Sequence, residues 1–245
     1  MGVNAGTSKP SIAAPLILLP PSEGKATGGT GRVWSPDDGA FGALADRRRD
    51  VVAALATAGG GSEKLLGVKG DHLARGLAAN RSLLQNPSLP AWQRYTGVVW
   101  DHLAPDSLPA ASRRRIVVVS GLLGVVRGDD PVPEYRLRMG VSLAPLGKLS
   151  TWWRAEVSAA LERIARGRLV VDLLPQEHRA ALLPDIGLRG VTVGLVDPSG
   201  KPGGHFAKAA KGRLARMVLC DGVDAIDRWV DDRFELTVSP FGSGA

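Results

Sequence analysis

Continuous apolar runs alternate along this chain with segments in which apolar residues recur at helical spacing. The runs at 16–19 and 116–119 are short, and the second is β-branched, so both predict strands buried on both faces of a sheet. Further strands are expected at 168–174, 190–196 and the C-terminus, and helices at 43–58, 71–85, 151–166, 176–182 and 207–219, with a last helix before the C-terminal strand. This alternation predicts one α/β (α+β) domain, with helices around a mixed sheet.

The ends of the chain and its single cysteine narrow the class of protein. Residues 1–14 are small and polar, so we expect a disordered leader followed by one domain over 15–245. No apolar run approaches the roughly 18 residues of a membrane span, and we expect a cytoplasmic protein, with a monomer favoured. A single cysteine excludes an intrachain disulfide, and the apolar neighbours of Cys220 predict a core position. The histidines lack metal-binding spacing, so neither a metal nor a cofactor is expected.

The charge balance favours an anionic partner. The chain has 31 Lys and Arg against 24 Asp and Glu, a net charge of +7. Nucleic acid, a nucleotide or a phosphorylated metabolite would suit that charge. A composition rich in arginine, alanine and glycine also accompanies a GC-rich genome, so the charge alone does not choose between these origins.

Two predicted strands end in residues suited to anion binding. The strand at 116–119 runs into Ser120 and Gly121, where glycine permits a sharp turn and free amides can cradle an anion, although such glycines are often plain turn residues. The first strand leads to Lys25, at the end of a strand where open sheets usually expose ligands. The arginines that follow the central strand are Arg127, Arg136 and Arg138. The pattern indicates a site for a phosphorylated ligand.

Two further segments carry candidate anion contacts. Residues 65–74 resemble the hairpin of a helix-hairpin-helix module, in which Lys69 would assist backbone amides. Spacing alone slightly favours the alternative, an ordinary glycine-turned helix pair. The segment at 205–216 predicts an amphipathic helix with one cationic face, which is either a solvated face or a binding surface. Gly212 inside that helix suggests close approach of a neighbour. The candidate cations on it are Lys208, Lys211, Arg213 and Arg216.

Catalytic chemistry has weaker support in the sequence. The candidates for proton transfer are Asp130, Glu134 and Tyr135, which lie between the central strand and the motif at 135–140. A proline-rich loop also carries acidic residues simply because it is solvated. No nucleophile–base pair can be assigned from spacing.

Several motifs in fixed order resemble the YaaA family of bacterial peroxide-stress proteins. The most specific, Ser-Gly-Leu-Leu-Gly-Val-Val-Arg, covers 120–127, and the similarity runs from about residue 16 to residue 238. The supporting motifs lie at 95–97, 135–140, 146–153 and 206–216. The resemblance implies a compact α/β domain with an unusual fold, a positively charged cleft, DNA binding and a role in limiting oxidative damage, partly by keeping unincorporated iron low. The cleft residues it implies are Lys25, Ser120, Arg127, Tyr135, Arg136, Lys208, Lys211 and Arg216.

Two hypotheses of different class therefore stay open. In the first, the protein binds DNA without sequence preference, and its cations neutralise phosphates. In the second, it is an enzyme acting on a nucleotide, a nucleobase or a phosphorylated metabolite. There the Ser120 and Gly121 amides, with Arg127 and Arg136, hold the anion, while Tyr135, Glu134 or Asp130 moves protons.

Overall fold

The computed structural model describes residues 13–199 and 205–241 of the chain. Most of the predicted leader, at 1–12, lies outside the described residues. Ala13 and Ala14, also assigned to the leader, instead open the first strand, so that strand begins three residues before the predicted one at 16–19.

Ten strands are found in the described residues. Six of them form one sheet, and the other four are two-residue pairings. They are β1 (Ala13–Leu19), β2 (Leu89–Pro90), β3 (Ile116–Ser120), β4 (Gly124–Arg127), β5 (Pro131–Val132), β6 (Ser142–Leu143), β7 (Gly147–Lys148), β8 (Arg168–Asp172), β9 (Gly190–Val196) and β10 (Glu235–Pro240).

The helices described are mostly short, and four of them exceed ten residues, with α10 the longest. They are α1 (Ala45–Thr57), α2 (Glu63–Leu66), α3 (Gly70–Arg81), α4 (Ala91–Arg94), α5 (Val98–Leu103), α6 (Ala110–Arg113), α7 (Leu149–Trp152), α8 (Arg154–Ile164), α9 (Gln176–Arg179) and α10 (His205–Asp221). No helix in the described part of the chain is both long and apolar enough to cross a bilayer.

One mixed sheet organises the domain, in the order β10-β9-β8-β1-β3-β4. The inner strands β9, β8, β1 and β3 are parallel, and β10 and β4 add antiparallel edges. The chain leaves β1 towards β3 on one side and later returns to β8 on the other side of β1. A reversal of this kind opens a crevice at the carboxyl ends of the strands, where open α/β sheets bind ligands. The predicted mixed-sheet α/β domain is confirmed.

Burial explains why the central strands form. Ile17 and every residue of β3 are completely enclosed, as expected for parallel strands covered on both faces. The predicted strand at 190–196 matches β9, and the predicted helix at 43–58 corresponds to α1 preceded by a 3-10 turn. The predicted secondary structure was therefore most accurate where apolar runs were longest.

The structure adds one strand that was not predicted and corrects two expectations. Residues 124–127 form the strand β4, because Gly124 has a positive φ of 68° and turns the chain back antiparallel to β3. The predicted last helix is only the 3-10 turn Val223–Ala225. Cys220 is exposed, because Val218 and Leu219 take the inward face of α10 and the next helical position points outward.

The close approach predicted at Gly212 is that of a helix. A Cβ placed there would lie 2.8 Å from His102 Cβ and would overlap the Val99 carbonyl, both on α5. Alanine normally stabilises a helix interior by about 1 kcal/mol over glycine. We expect Gly212→Ala instead to lower the free energy of unfolding by at least about 1 kcal/mol, because α5 backbone must move. Urea unfolding measures this change, and a more stable variant would contradict the packing of α10 on α5.

Candidate functional site at the carboxyl ends of the parallel strands

Two adjoining cavities lie at the switch point of the sheet. The main cavity has a volume of about 430 Å³ and lies between the loop after β1, one face of α3 and the segment 134–136. The side cavity, of about 120 Å³, lies between the same loop and residues 177–178 beyond β8. Glu23, Lys25 and Arg136 line both. The main cavity falls within the size range of small-molecule sites.

Lys25 is the central side chain of this site. The residue as a whole is half-buried, whereas its amine lies inside the protein, where Nζ donates a hydrogen bond to the Ser22 carbonyl at 2.8 Å. Nζ also lies 4.3 Å from the centre of the Tyr135 ring and 5.6 Å from that of Tyr95. Burial, reinforced by the positive charge of Arg136, lowers the pKa of Lys25 from 10.5 to about 7. A large fraction of this lysine is therefore a neutral amine near pH 7.

Backbone pairing fixes the position of Lys25. Its backbone forms an isolated antiparallel bridge with Tyr95, and the Ala26 amide donates to the Arg94 carbonyl at 2.9 Å. The Arg94 side chain, fully enclosed, donates to the carbonyls of Gly28 at 2.7 Å and Val132 at 3.1 Å. A buried guanidinium thus ties the loop after β1 to the chain beyond β4.

A buried series of hydroxyl groups lies beneath the lysine. Ser120 Oγ is 2.7 Å from the Tyr135 hydroxyl, which is 3.0 Å from the Tyr95 hydroxyl. Burial raises the pKa of Tyr135 to about 12 and raises that of Tyr95 well above its ordinary value. Both tyrosines therefore stay neutral near pH 7 and present hydrogen-bonding hydroxyls and electron-rich ring faces.

The arginines around the cavities are each paired with a glutamate. Arg75 Nε donates to Glu134 at 2.8 Å, and Arg136 Nη2 lies 3.2 Å from the Glu23 carboxylate. A looser pair of 3.6 Å joins Arg138 to Glu177 beside the side cavity. The rim is therefore a set of ion pairs.

Helix α3 supplies the wall opposite the loop. His72, Arg75, Gly76 and Ala79 line the main cavity and follow the spacing of one helix face. Sequence reasoning did not select these residues, although a polar i, i+3 pair beside a glycine at i+4 was a usable signal.

Asn80 and Gly76 also position Arg136. Asn80 accepts from the Arg136 amide at 2.8 Å and donates to the Arg136 carbonyl at 2.8 Å. A Cβ on Gly76 would lie 3.4 Å from Arg136 Cβ, so the glycine leaves room for this segment. Two side-chain hydrogen bonds and a glycine therefore fix the backbone that carries the guanidinium.

The structure brings together one part of the predicted site. Lys25, Glu134, Tyr135 and Arg136 line the main cavity, and Arg138 lines the side cavity. Ser120 is fully enclosed and supports Tyr135 from below, while its Oγ accepts weak hydrogen bonds from the amides that follow it.

Gly121 and two residues of the following hairpin belong to the framework. A Cβ on Gly121 would lie 2.9 Å from the Arg138 carbonyl, so a protein segment occupies the space predicted for an anion. Asp130 accepts from the amides of Ala40 at 2.9 Å and Arg127 at 2.7 Å. Arg127 is paired with Val117 and so lies back along the sheet from the carboxyl end of β3.

The cations predicted on α10 contact other groups of the protein or are exposed. Lys211 donates to the Leu173 carbonyl at 3.0 Å, and Arg216 donates to two carbonyls at the end of α5. Arg213 is exposed and forms an ion pair of 2.6 Å with Asp231. Lys208 is exposed. Anion binding by these residues stays a prediction.

The predicted hairpin consists of two helices joined by residues 67–69. Ser62 caps α2 by accepting from the Leu65 amide, Gly67 takes the left-handed conformation, and α3 begins at Gly70. Lys69 is exposed and lies 2.9 Å from Glu63. Over residues 13–199 and 205–241, no group of three or more histidine, cysteine or acidic side chains is placed to hold a metal ion.

Fold and site together define an α/β protein with a polar pocket at the carboxyl ends of its parallel strands. Residues 16–235 match the family described as Peroxide stress protein YaaA. A UPF0246 protein of Streptomyces coelicolor is 40% identical over 218 residues, covering 84% of each chain. A UPF0246 protein of Corynebacterium glutamicum is 35% identical over 216 residues, covering 86% of this chain and 87% of the relative. The chain belongs to the YaaA family of peroxide stress proteins.

Proposed function

We propose that this protein limits oxidative damage in peroxide stress by binding DNA, and that one nucleotide unit reaches the Lys25 cavity. The observation that carries the proposal is a concave site with Lys25 at its centre and Arg75, Arg136 and Arg138 around it. Phosphates are recognised by such arginines, and a base or sugar can enter a cavity of this size.

The helix pair beside the cavity supports this choice of ligand. The first turn of α3 carries amides without helical partners, and Val68 and His72 of the same region line the main cavity. Amides at the start of a helix favour phosphate oxygens. A strand of DNA contacting this turn would therefore pass directly over the cavity mouth, while the net charge of +7 favours its approach.

The test is binding of a fluorescent duplex with a short gap, at low and physiological salt. We expect affinity to fall as salt rises and Arg136→Ala to weaken binding about tenfold, since a phosphate contact is removed. Arg49→Ala is the matched control, because Arg49 is also ion-paired, with Asp37 and Asp46, and lies on α1 outside both cavities.

Three other results would argue against DNA binding at the cavity. Equal losses in Arg136→Ala and Arg49→Ala would show only nonspecific charge attraction. A loss confined to Lys208→Ala would place the DNA surface on α10, away from the cavity. Absence of binding by the unaltered protein at low salt would refute the proposal.

A further inference from the structure

The Lys25 amine has the surroundings of a nucleophile. The carboxylates nearest to it in the site, Glu23 and Glu134, are bonded to Arg136 and Arg75. The amine itself has a carbonyl acceptor, from Ser22, and two aromatic faces. One N–H on a carbonyl leaves the lone pair of a neutral amine available. This arrangement differs from that of a structural lysine, which normally ends in an ion pair or in water.

We infer that Lys25 forms an imine with an aldehyde carbonyl on a ligand whose phosphate is held by the arginines of the main cavity. The inference rests on the proposed function for its substrate, because intact DNA has no aldehyde whereas a sugar that has lost its base exposes one. A small phosphorylated aldehyde presents the same chemistry. An abasic sugar and a small phosphorylated aldehyde therefore both supply the same reacting group, an aldehyde carbonyl.

The step balances without an oxidant or a reductant. The Nζ lone pair bonds to the carbonyl carbon, and the carbonyl oxygen takes up a proton while the nitrogen releases one, giving a carbinolamine. The hydroxyl of the carbinolamine then takes up a second proton and leaves as water, which breaks the carbon–oxygen bond. The nitrogen lone pair forms the double bond to carbon, giving a protonated imine. Glu134 and His72 line the same cavity and are able to exchange these protons.

The electrostatics of the cavity suit such a step. Burial and Arg136 lower the pKa of Lys25 to about 7, so the nucleophilic form is abundant where an ordinary lysine is almost wholly protonated. The rings of Tyr95 and Tyr135, whose hydroxyls stay neutral, lie against the amine and favour the positive charge of a protonated imine. Desolvation thus favours attack, and the aromatic faces stabilise the product.

The experiment is reductive trapping with sodium cyanoborohydride, using the full chain. One arm uses a duplex oligonucleotide with a single abasic site, and the other uses glycolaldehyde phosphate. We expect a covalent adduct that peptide mass spectrometry maps to Lys25, lost in Lys25→Gln and Lys25→Arg. It should be kept in Lys148→Gln, because Lys148 is an exposed lysine that lines neither cavity. The trapping rate should rise with pH and reach half its maximum near pH 7.

The two arms of the experiment test imine formation at Lys25 and the proposed DNA binding separately. An adduct at Lys25 with abasic DNA supports both. An adduct at Lys25 with the small aldehyde alone supports the imine and overturns DNA as its source. Trapping at other lysines only, or none at Lys25 in either arm, overturns the inference, while salt-sensitive, Arg136-dependent duplex binding would leave the proposed function standing. Circular dichroism of Lys25→Gln establishes that the loss of trapping does not reflect unfolding.

Discussion

Replacing Arg48 with methionine should lower the free energy of unfolding by about 3 to 5 kcal/mol. Arg48 is fully enclosed on α1. Its guanidinium donates to the carbonyls of Leu123 at 3.0 Å, Val125 at 2.9 Å and Pro36 at 3.0 Å. Methionine fills a similar volume but leaves these buried carbonyls without donors.

The neighbouring Arg49 supplies the control. It is half-exposed and ion-paired with Asp37 and Asp46, and exposed pairs contribute less than about 1 kcal/mol. Urea unfolding of both methionine variants therefore compares an internal with a surface guanidinium on adjacent positions of one helix. A difference below about 1 kcal/mol would contradict the role of Arg48 in joining α1 to the β3–β4 hairpin.

The second large effect is expected at Lys25, where Lys25→Met should stabilise the protein below pH 7 by a few kcal/mol. Burial depresses the pKa of the folded lysine to about 7 against 10.5 in the unfolded chain. Between these values the unfolded chain binds more protons, so the stability of the unaltered protein rises with pH from about 7 to 10.5. The advantage of the methionine variant should therefore shrink across that window.

Charged neighbours set the size of this effect. Arg136 and Arg94 oppose the lysine charge, whereas Glu23 and Glu134 favour it. Unfolding of the unaltered protein and of Lys25→Met in guanidinium chloride at pH 6, 8 and 10 measures the difference in their free energies of unfolding. Guanidinium chloride is a salt, so it screens the exposed Glu23 and leaves the desolvation cost, which is the largest cause. A stability difference that stays constant over these pH values would show that the amine is solvated in the folded state.

The sheet was predictable because its central strands are continuous apolar runs. Residues 116–119 are β-branched and wholly enclosed, so the local pattern and the tertiary environment agree. The ends of helices and the short strand β4 were less predictable, because a glycine with positive φ, Gly124, decides whether the chain turns back or continues. Cys220 shows the same limit, since one helical position separates the core from solvent.

The site was predictable only in part, for a geometric reason. Lys25 was selected because it follows a strand, and the carboxyl ends of parallel strands converge. Arg75 and His72 escaped selection, because the sequence does not show which face of α3 turns towards that edge. By helical spacing Lys208, Lys211 and Arg216 fall on one face of α10 and so formed a convincing group. Lys211 and Arg216 nevertheless contact backbone carbonyls of the protein itself. Sequence spacing identifies a helix face but not its neighbour.

The ion pairs around the cavities have a consequence for the thermodynamics of ligand uptake. A phosphate that reaches Arg136 must displace the Glu23 carboxylate, which is attached to the protein and does not diffuse away. Uptake at such a rim is an exchange of one anion for another, so fewer salt ions are liberated than arginines are contacted. The exposed Glu23 then recruits cations from solution. The salt exponent of binding should thus underestimate the number of arginine contacts, and divalent cations should assist binding by neutralising the displaced carboxylate.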